Sequence, residues 1–422
     1  MATIKGFKGM RFAKGDMNTL VCPPYDIISE EQRLKFIETD EHNIIRLELP
    51  TGENRYKEAG KTLSEWLSDG TLKQDNEDSI YVYEMEFTAF GERKSVKGFV
   101  SLVKLEEFSR GVVLPHEETL SKAKADRFNL MSETFCNFSQ IYSLYMDEDN
   151  SVYSLVDNCS KGEPDVSVTD SDGTIHRMWR VYDESILSKL SKLFENKKLY
   201  IADGHHRYET ALNFHKALVA DGRAEEGDLS NYIMMMLVNM ENEGLVVFPT
   251  HRIVRDLENF DAKKLLDGCS EYFTIEKQDN ISAVEKCLNE NYRADKCSFG
   301  FYDGASYTIL TLKDSVDMKN FLPDMSEAYC SLDVSVLHSL VLERIFGIDK
   351  ENMANQINLT YTRDISEAIS SVDNKKADCT FILNPTRVSE IRDVALAGEK
   401  MPQKSTYFYP KLITGLVMNK FK

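Results

Sequence analysis

No apolar run in this chain of 422 residues approaches the roughly 20 consecutive residues that a membrane-spanning helix needs. The opening residues Met1-Ala2-Thr3-Ile4-Lys5-Gly6 also lack the apolar core of a signal peptide. A cytoplasmic protein with no membrane partner is therefore expected. Paired cysteines are missing too. The eight cysteines, Cys22, Cys136, Cys159, Cys269, Cys287, Cys297, Cys330 and Cys379, are scattered with no Cys-x-x-Cys pair. That argues against a zinc ribbon or a disulfide framework and for reduced, mostly buried thiols. Basic charge is scarce: 51 Lys and Arg against 69 Asp and Glu leave a net charge of −18. A general nucleic-acid binder usually shows a basic face, so no nucleic-acid partner is expected. The common catalytic fingerprints do not occur, neither G-x-G-x-x-G nor G-x-S-x-G nor a kinase catalytic loop. His116-Glu117 is not the start of H-E-x-x-H, because residue 120 is Leu, and this excludes a zincin site.

What is present reads as a large soluble mixed α/β chain. Its length exceeds the usual limit for one hydrophobic core, and 42% hydrophobic with 28% charged residues is ordinary for a globular protein. There is no internal repeat or low-complexity linker. Helical spacing appears at 29–36, 58–67, 122–132, 184–196, 207–221, 262–269, 281–291, 334–345 and 386–396. Extended segments appear at 79–87 and 94–105, a hairpin around Gly91-Glu92, and at 198–202, 232–238, 244–248, 298–302, 306–312, 358–361 and 379–383. A second hairpin is expected from 141–146 and 152–156, and a surface loop at 161–173. Three parts are expected, with approximate bounds: an N-terminal α/β part at 1–110, a central part with an insertion at 111–257 and a C-terminal α/β part at 258–422.

The most informative segment is Leu199-Tyr200-Ile201-Ala202-Asp203-Gly204-His205-His206-Arg207-Tyr208. An apolar run stops at Asp203-Gly204, and a helical pattern begins at once. Backbone N–H groups at a helix start, together with the helix dipole, favour an anion. Gly204 lets the backbone come close, His205, His206 and Arg207 offer donors, and Asp203 can hold a cation. This combination suits a phosphate with its metal.

Four other stretches carry candidate chemistry. Pro23-Pro24-Tyr25-Asp26 is a rigid turn that holds Tyr25 and Asp26 in place. Asn43-Ile44-Ile45-Arg46-Leu47-Glu48 alternates as a strand would, which makes Arg46 and Glu48 a solvated pair. In Leu114-Pro115-His116-Glu117-Glu118-Thr119, a proline-set turn presents Glu117 as a candidate general base with His116 to orient it. In Met401-Pro402-Gln403-Lys404-Ser405-Thr406, Lys404, Ser405 and Thr406 can grip phosphate, although no P-loop precedes them.

Taken together, segments 23–29, 114–119, 202–212, 248–252 and 401–410 resemble a bacterial family of unknown function, numbered 1015 and sometimes labelled ParB-like. The Gly204-His205-His206-Arg207 box is also similar to boxes of the ParB/sulfiredoxin superfamily. Sulfiredoxin has a reactive cysteine where this chain has His205, so sulfiredoxin chemistry is not expected, and no DNA-binding helix-turn-helix follows. By motif the chain looks like the free serine kinases, which carry both an L-x-P-H-E and a D-G-H-H-R box. The resemblance implies a ParB/sulfiredoxin-like core with large N- and C-terminal additions. It also implies Glu117 as the base toward a serine hydroxyl, and residues 203–207 as the site of the phosphoryl donor and Mg2+, with Asp203 the metal ligand. Thr250, His251, Arg252, Tyr25 and Asp26 are then candidates for substrate binding. The two boxes are expected to meet across one cleft.

The leading expectation is a magnesium-dependent phosphotransferase acting on free L-serine, or running in reverse on phosphoserine. The donor stays open among ATP, ADP and pyrophosphate, with pyrophosphate favoured because no adenine-binding motif is visible. The alternative is a nucleotide-binding ParB-like regulatory protein without small-molecule kinase activity. A purely structural scaffold would leave Glu117 and Asp203 without roles. A homo-oligomer is compatible with either.

Overall fold

The computed structural model describes residues 1–117 and 121–422, with the side chains of 121–123 excepted. The fold is mixed α/β. Two compact units form. The first comprises Met1–Pro115, Thr119–Val246 and Phe408–Lys422, and the second comprises His116–Glu118 and Val247–Tyr407.

Among the described residues, the first unit is built on a nine-stranded sheet. Eight strands run in the order Val113–Leu114, Leu199–Asp203, Ile141–Tyr145, Tyr232–Asn239, Glu92–Lys104, Ile80–Ala89, Ile175–Val181 and Val166–Thr169. The ninth, Ile4–Lys5, pairs with Glu92–Lys104. Ile80–Ala89 and Glu92–Lys104 form the expected hairpin. Leu199–Asp203 is parallel to Val113–Leu114 and antiparallel to Ile141–Tyr145. Its sequence is nearly all apolar because both of its faces are covered, as usual for an internal strand.

The helix after that strand, His205–Ala220, buries Tyr208, Ala211, Phe214 and Leu218 against the sheet core. Their three- and four-residue spacing makes one helical face. Each fully buried large side chain of this kind contributes about 1.5–3 kcal/mol. The Tyr208 hydroxyl donates to Glu106 O at 2.7 Å and accepts from Glu106 N–H at 2.9 Å.

The second unit has a six-stranded, wholly antiparallel sheet in the order Phe273–Gln278, Tyr307–Leu312, Ser298–Tyr302, Cys379–Leu383, His251–Val254 and Leu359–Thr362. Helices Ile281–Arg293 and Ile365–Asp373 cover it through Val284, Leu288 and Ala368, which pack on Ile253, Ile309 and Ile382.

Four sequence expectations are corrected. Segment 43–48 is not a strand: Ile45–Glu48 is a short helix. The Asn43 side chain accepts from Ile45 N–H at 2.9 Å and donates to Thr19 O and Val21 O, which turns the chain into a helical start. Segment 152–156 is not a hairpin arm but lies in helix Ser151–Asn158. There the Asp147 carboxylate accepts from Val152 N–H and Tyr153 N–H, and Val152 and Val156 bury one face at helical spacing. The loop expected at 161–173 contains the strand Val166–Thr169, recruited as the sheet edge by Ile175–Val181. Helix 334–345 is a short α-helix, Asp333–Val336, that widens into a π-helix at Leu337–Glu343. All eight cysteines are free, and burial is the largest of the influences that raise the pKa of every one of the eight thiols. Among the described residues, no helix is long and apolar enough to cross a membrane.

Candidate functional site

In the first unit, a strand, a glycine turn and a helix meet as the sequence implied. The register of Leu199–Asp203 slips between Ile201 and Asp203, a bulge that re-aims the Asp203 side chain at the strand end. Gly204 follows at φ +99°, a left-handed conformation that side-chain-bearing residues rarely adopt. A Cβ on Gly204 would also lie 2.9 Å from Arg207 Nε and 3.0 Å from its Cζ, so the missing side chain is what lets the guanidinium fold back over the turn. The first intrahelical bond runs from Tyr208 N–H to Gly204 O at 3.1 Å. The N–H groups of residues 205–207 therefore face the N-terminal end of the helix.

Asp203 is held between two cations. Lys411 Nζ lies 2.6 Å from Oδ1, and Arg207 Nη2 lies 2.8 Å from Oδ2. Arg207 also donates to Gln140 O, which pins its guanidinium from the far side. Burial would raise the Asp203 carboxyl, but the charges of Lys411 and Arg207 outweigh it and hold it well below the ordinary carboxylate range. A depressed folded-state value gives stability that is present above the unfolded value and lost as pH falls through the folded one. Denaturant titrations of the protein and its Asp203→Asn variant should therefore converge in stability as pH drops below about 4. A stability difference that stays constant through that window would show that the ion pairs add nothing.

Beside this box lies a cluster that the sequence pattern concealed. Glu48 is buried rather than solvated, so its expected pairing with Arg46 is corrected. Ser139 Oγ donates to Glu48 Oε1 at 2.9 Å, and Arg127 Nη1 donates to Glu48 O at 2.7 Å and lies 3.7 Å from Oε1. Burial raises the Glu48 carboxyl, offset in part by Arg127, Ser139 and Arg207. Tyr25 belongs to the same neighbourhood, with the Arg127 guanidinium 4.2 Å from its ring centre, and burial pushes its hydroxyl up to about 12. Asp26 is exposed. A small cavity of about 30 Å³ is lined by Glu48, Arg127, Ser139, Arg207 and Thr210.

His205 and Arg207 are buried, whereas His206 is half-exposed. Among the described residues, no group of three or more His, Cys, Asp or Glu side chains forms a metal cage. Asp203 is therefore the one carboxylate of the 203–207 box, and its oxygens already face two protein cations.

Other sequence candidates converge in the second unit. His116 is buried, its Nε2 2.9 Å from Thr406 Oγ1, and His116 O accepts from Met401 N–H at 2.7 Å. Glu117 forms a parallel bridge with Met401. Glu118 and Thr119 lie outside the described residues. The same C-terminal segment receives Arg252, whose Nη2 donates to Lys404 O at 3.2 Å, while Nη1 donates to Thr250 O. Stretches 116–117 and 250–252 are thus fastened to one strip of chain, 401–406. His251 Nδ1 accepts from Leu383 N–H at 3.2 Å. Burial and the Arg252 charge lower His251 to about 4, so it is neutral at physiological pH. Lys404 is exposed with φ +56°, and Ser405 is buried with its hydroxyl turned onto Pro402 O.

The family model for "Protein of unknown function (DUF1015)" matches residues 4–335. The chain belongs to that family. No curated protein matches its sequence. Among solved structures, a conserved hypothetical protein from Pyrococcus furiosus is 12% identical, with 74% of this chain and 94% of that chain covered and a TM-score of 0.34. A free serine kinase in complex with AMP is 12% identical, with coverage of 74% and 90% and a TM-score of 0.36. SbnI with a C-terminal truncation, from Staphylococcus aureus, is 10% identical, with coverage of 75% and 85% and a TM-score of 0.37.

Proposed function

We propose that this protein is a magnesium-dependent phosphotransferase that acts on the hydroxyl of free L-serine, with pyrophosphate the favoured donor among pyrophosphate, ADP and ATP. The observation that carries this reading is the charge arrangement at the Gly204 turn. Arg207 and Lys411 flank a single carboxylate at a helix N-terminus, which leaves a net positive, partly dry place for phosphate oxygens.

Phosphoryl transfer asks a protein for positioning, charge neutralisation and one base. Arg207, Lys411 and the N–H groups of 205–207 would neutralise the donor. Asp203 would fix both cations and meet the Mg2+ carried by the donor, an ion that supplies charge neutralisation on the transferred group. Glu117 is proposed to take the serine hydroxyl proton as the oxygen–phosphorus bond forms. The bond to the leaving phosphate, or to the nucleotide, breaks with its electron pair going to the leaving oxygen. Run backwards, the same groups would return phosphate from phosphoserine. Thr250 and Arg252 are proposed to bind the acceptor, and Lys404, Ser405 and Thr406 would support the segment that holds them.

A donor-by-acceptor screen with magnesium, scoring phosphate transfer, tests the proposal. Transfer to serine from at least one donor supports it. Tight nucleotide binding with no transfer to any small acceptor favours the regulatory alternative. Within the screen, His205→Ala and Arg207→Ala should each weaken donor binding by about 1.5–3 kcal/mol, as for a lost charge-assisted hydrogen bond. Donor affinity unchanged in both folded variants would remove the 203–207 box from the donor site.

A further inference from the structure

The second unit contains a cavity of about 300 Å³ whose lining includes Arg252, Thr250, Cys297, Asp333, Asn384 and Glu390. Its walls hold a buried guanidinium that pairs with no carboxylate among the described residues, and a half-buried carboxyl whose neighbouring cation, Arg387, is shared with another acid. Arg252 is 1% exposed, and its Nε makes no hydrogen bond. Its hydrogen-bond partners are the neutral carbonyls of Thr250, Gln403 and Lys404, and the Tyr361 ring centre lies 5.4 Å from the guanidinium carbon. Burial lowers Arg252 to about 10, with Tyr361 the opposing influence. A guanidinium kept from water without a carboxylate is costly unless something else supplies the anion.

Asp333 stands on another wall. It opens the short helix Asp333–Val336, and the Cys297 thiol and the Asn384 side chain, both neutral, lie beside its carboxyl. Burial pushes it up to about 7, and the neighbouring Glu390 adds to the shift. The nearby cation Arg387 is engaged with Asp295 and stacked 4.1 Å from the Tyr292 ring centre. One wall of the cavity thus lacks an anion, and another carries the acids Asp333, Asp295 and Glu390 around the one guanidinium of Arg387, with Lys296 also on the lining.

We propose that this cavity is an α-amino-acid site, in which Arg252 receives the ligand's carboxylate and Asp333, with Asn384, receives its α-ammonium. A zwitterion brings an anion to Arg252 and a cation to the acid-rich wall of Asp333. A simple phosphate would satisfy Arg252 and leave Asp333 facing a second anion. The assignment deepens the phosphotransferase proposal by giving its acceptor a place and a class. It depends on that proposal only for the fate of the bound amino acid.

The test is calorimetric binding to the full chain with no phosphoryl donor present. The probes are L-serine, L-lactate, ethanolamine and inorganic phosphate. L-Serine is expected to bind, while lactate, which lacks the ammonium, and ethanolamine, which lacks the carboxylate, should each bind at least about tenfold more weakly. Asp333→Asn, nearly isosteric, should weaken L-serine by a similar factor and leave lactate unchanged. Lactate or phosphate binding as tightly as serine would reduce the cavity to a plain anion site and overturn the assignment. So would an absence of serine binding. Serine binding with no phosphoryl transfer from any donor would instead overturn the phosphotransferase reading and leave the amino-acid site standing.

Discussion

Glu117→Gln should lower the rate of phosphoryl transfer to serine by roughly 10²–10⁴-fold while donor affinity survives. The substitution keeps the shape of the side chain and removes only its ability to accept a proton. Its backbone setting is expected to persist, because the Met401 bridge and the bond from Met401 N–H to His116 O are main-chain interactions. The effect should fall on kcat more than on KM, since the proton moves in the transition state. A Gln variant of normal rate would remove Glu117 from the chemistry. The parallel variant Glu48→Gln then becomes decisive. Glu48 is a buried carboxyl whose proton affinity is already raised and which sits beside Arg127 and Arg207. A collapse of turnover in that variant alone would transfer the role of base to the first unit.

Asp203→Asn is expected to abolish turnover or to raise sharply the magnesium concentration that supports it, in a chain that stays folded. Asn preserves the volume but cannot hold both Lys411 and Arg207 by charge. It also offers a neutral oxygen where Mg2+ prefers a carboxylate. Folding should survive because Arg207 keeps its bond to Gln140 O and Tyr208 keeps its pair of bonds to Glu106. A magnesium titration of the rate, with circular dichroism as the folding control, checks both halves. Unchanged magnesium dependence in a folded variant would end the metal role of this carboxylate.

Much of the first unit was legible because its signals are local. The apolar run of Leu199–Asp203, the glycine, and the spacing of Tyr208, Ala211 and Leu218 lie within twenty consecutive residues, and each points to the same element. The hairpin of Ile80–Ala89 with Glu92–Lys104 announces itself in the same way. Glu48 was misread because six residues cannot separate a strand period from one helical turn. What decides the matter is the Asn43 side chain bonding to Thr19 O and Val21 O, together with Arg127 arriving from 79 positions further on. His116 and Thr406 are 290 positions apart, and no periodicity records their bond. Asp333 carried no local motif at all. Its character comes from being walled in by Cys297, Asn384 and Glu390, which are remote in sequence.

The fold-back of Arg207 over Gly204 makes the two positions mutually dependent along any mutational path. While arginine occupies 207, an alanine at 204 meets two obstacles, the left-handed backbone at φ +99° and a guanidinium 2.9 Å from the new methyl. Once 207 has become smaller, only the backbone obstacle remains. The glycine is thus more replaceable after the arginine has gone than before, and the order of substitution, not only their identity, decides which descendants of this sequence can fold.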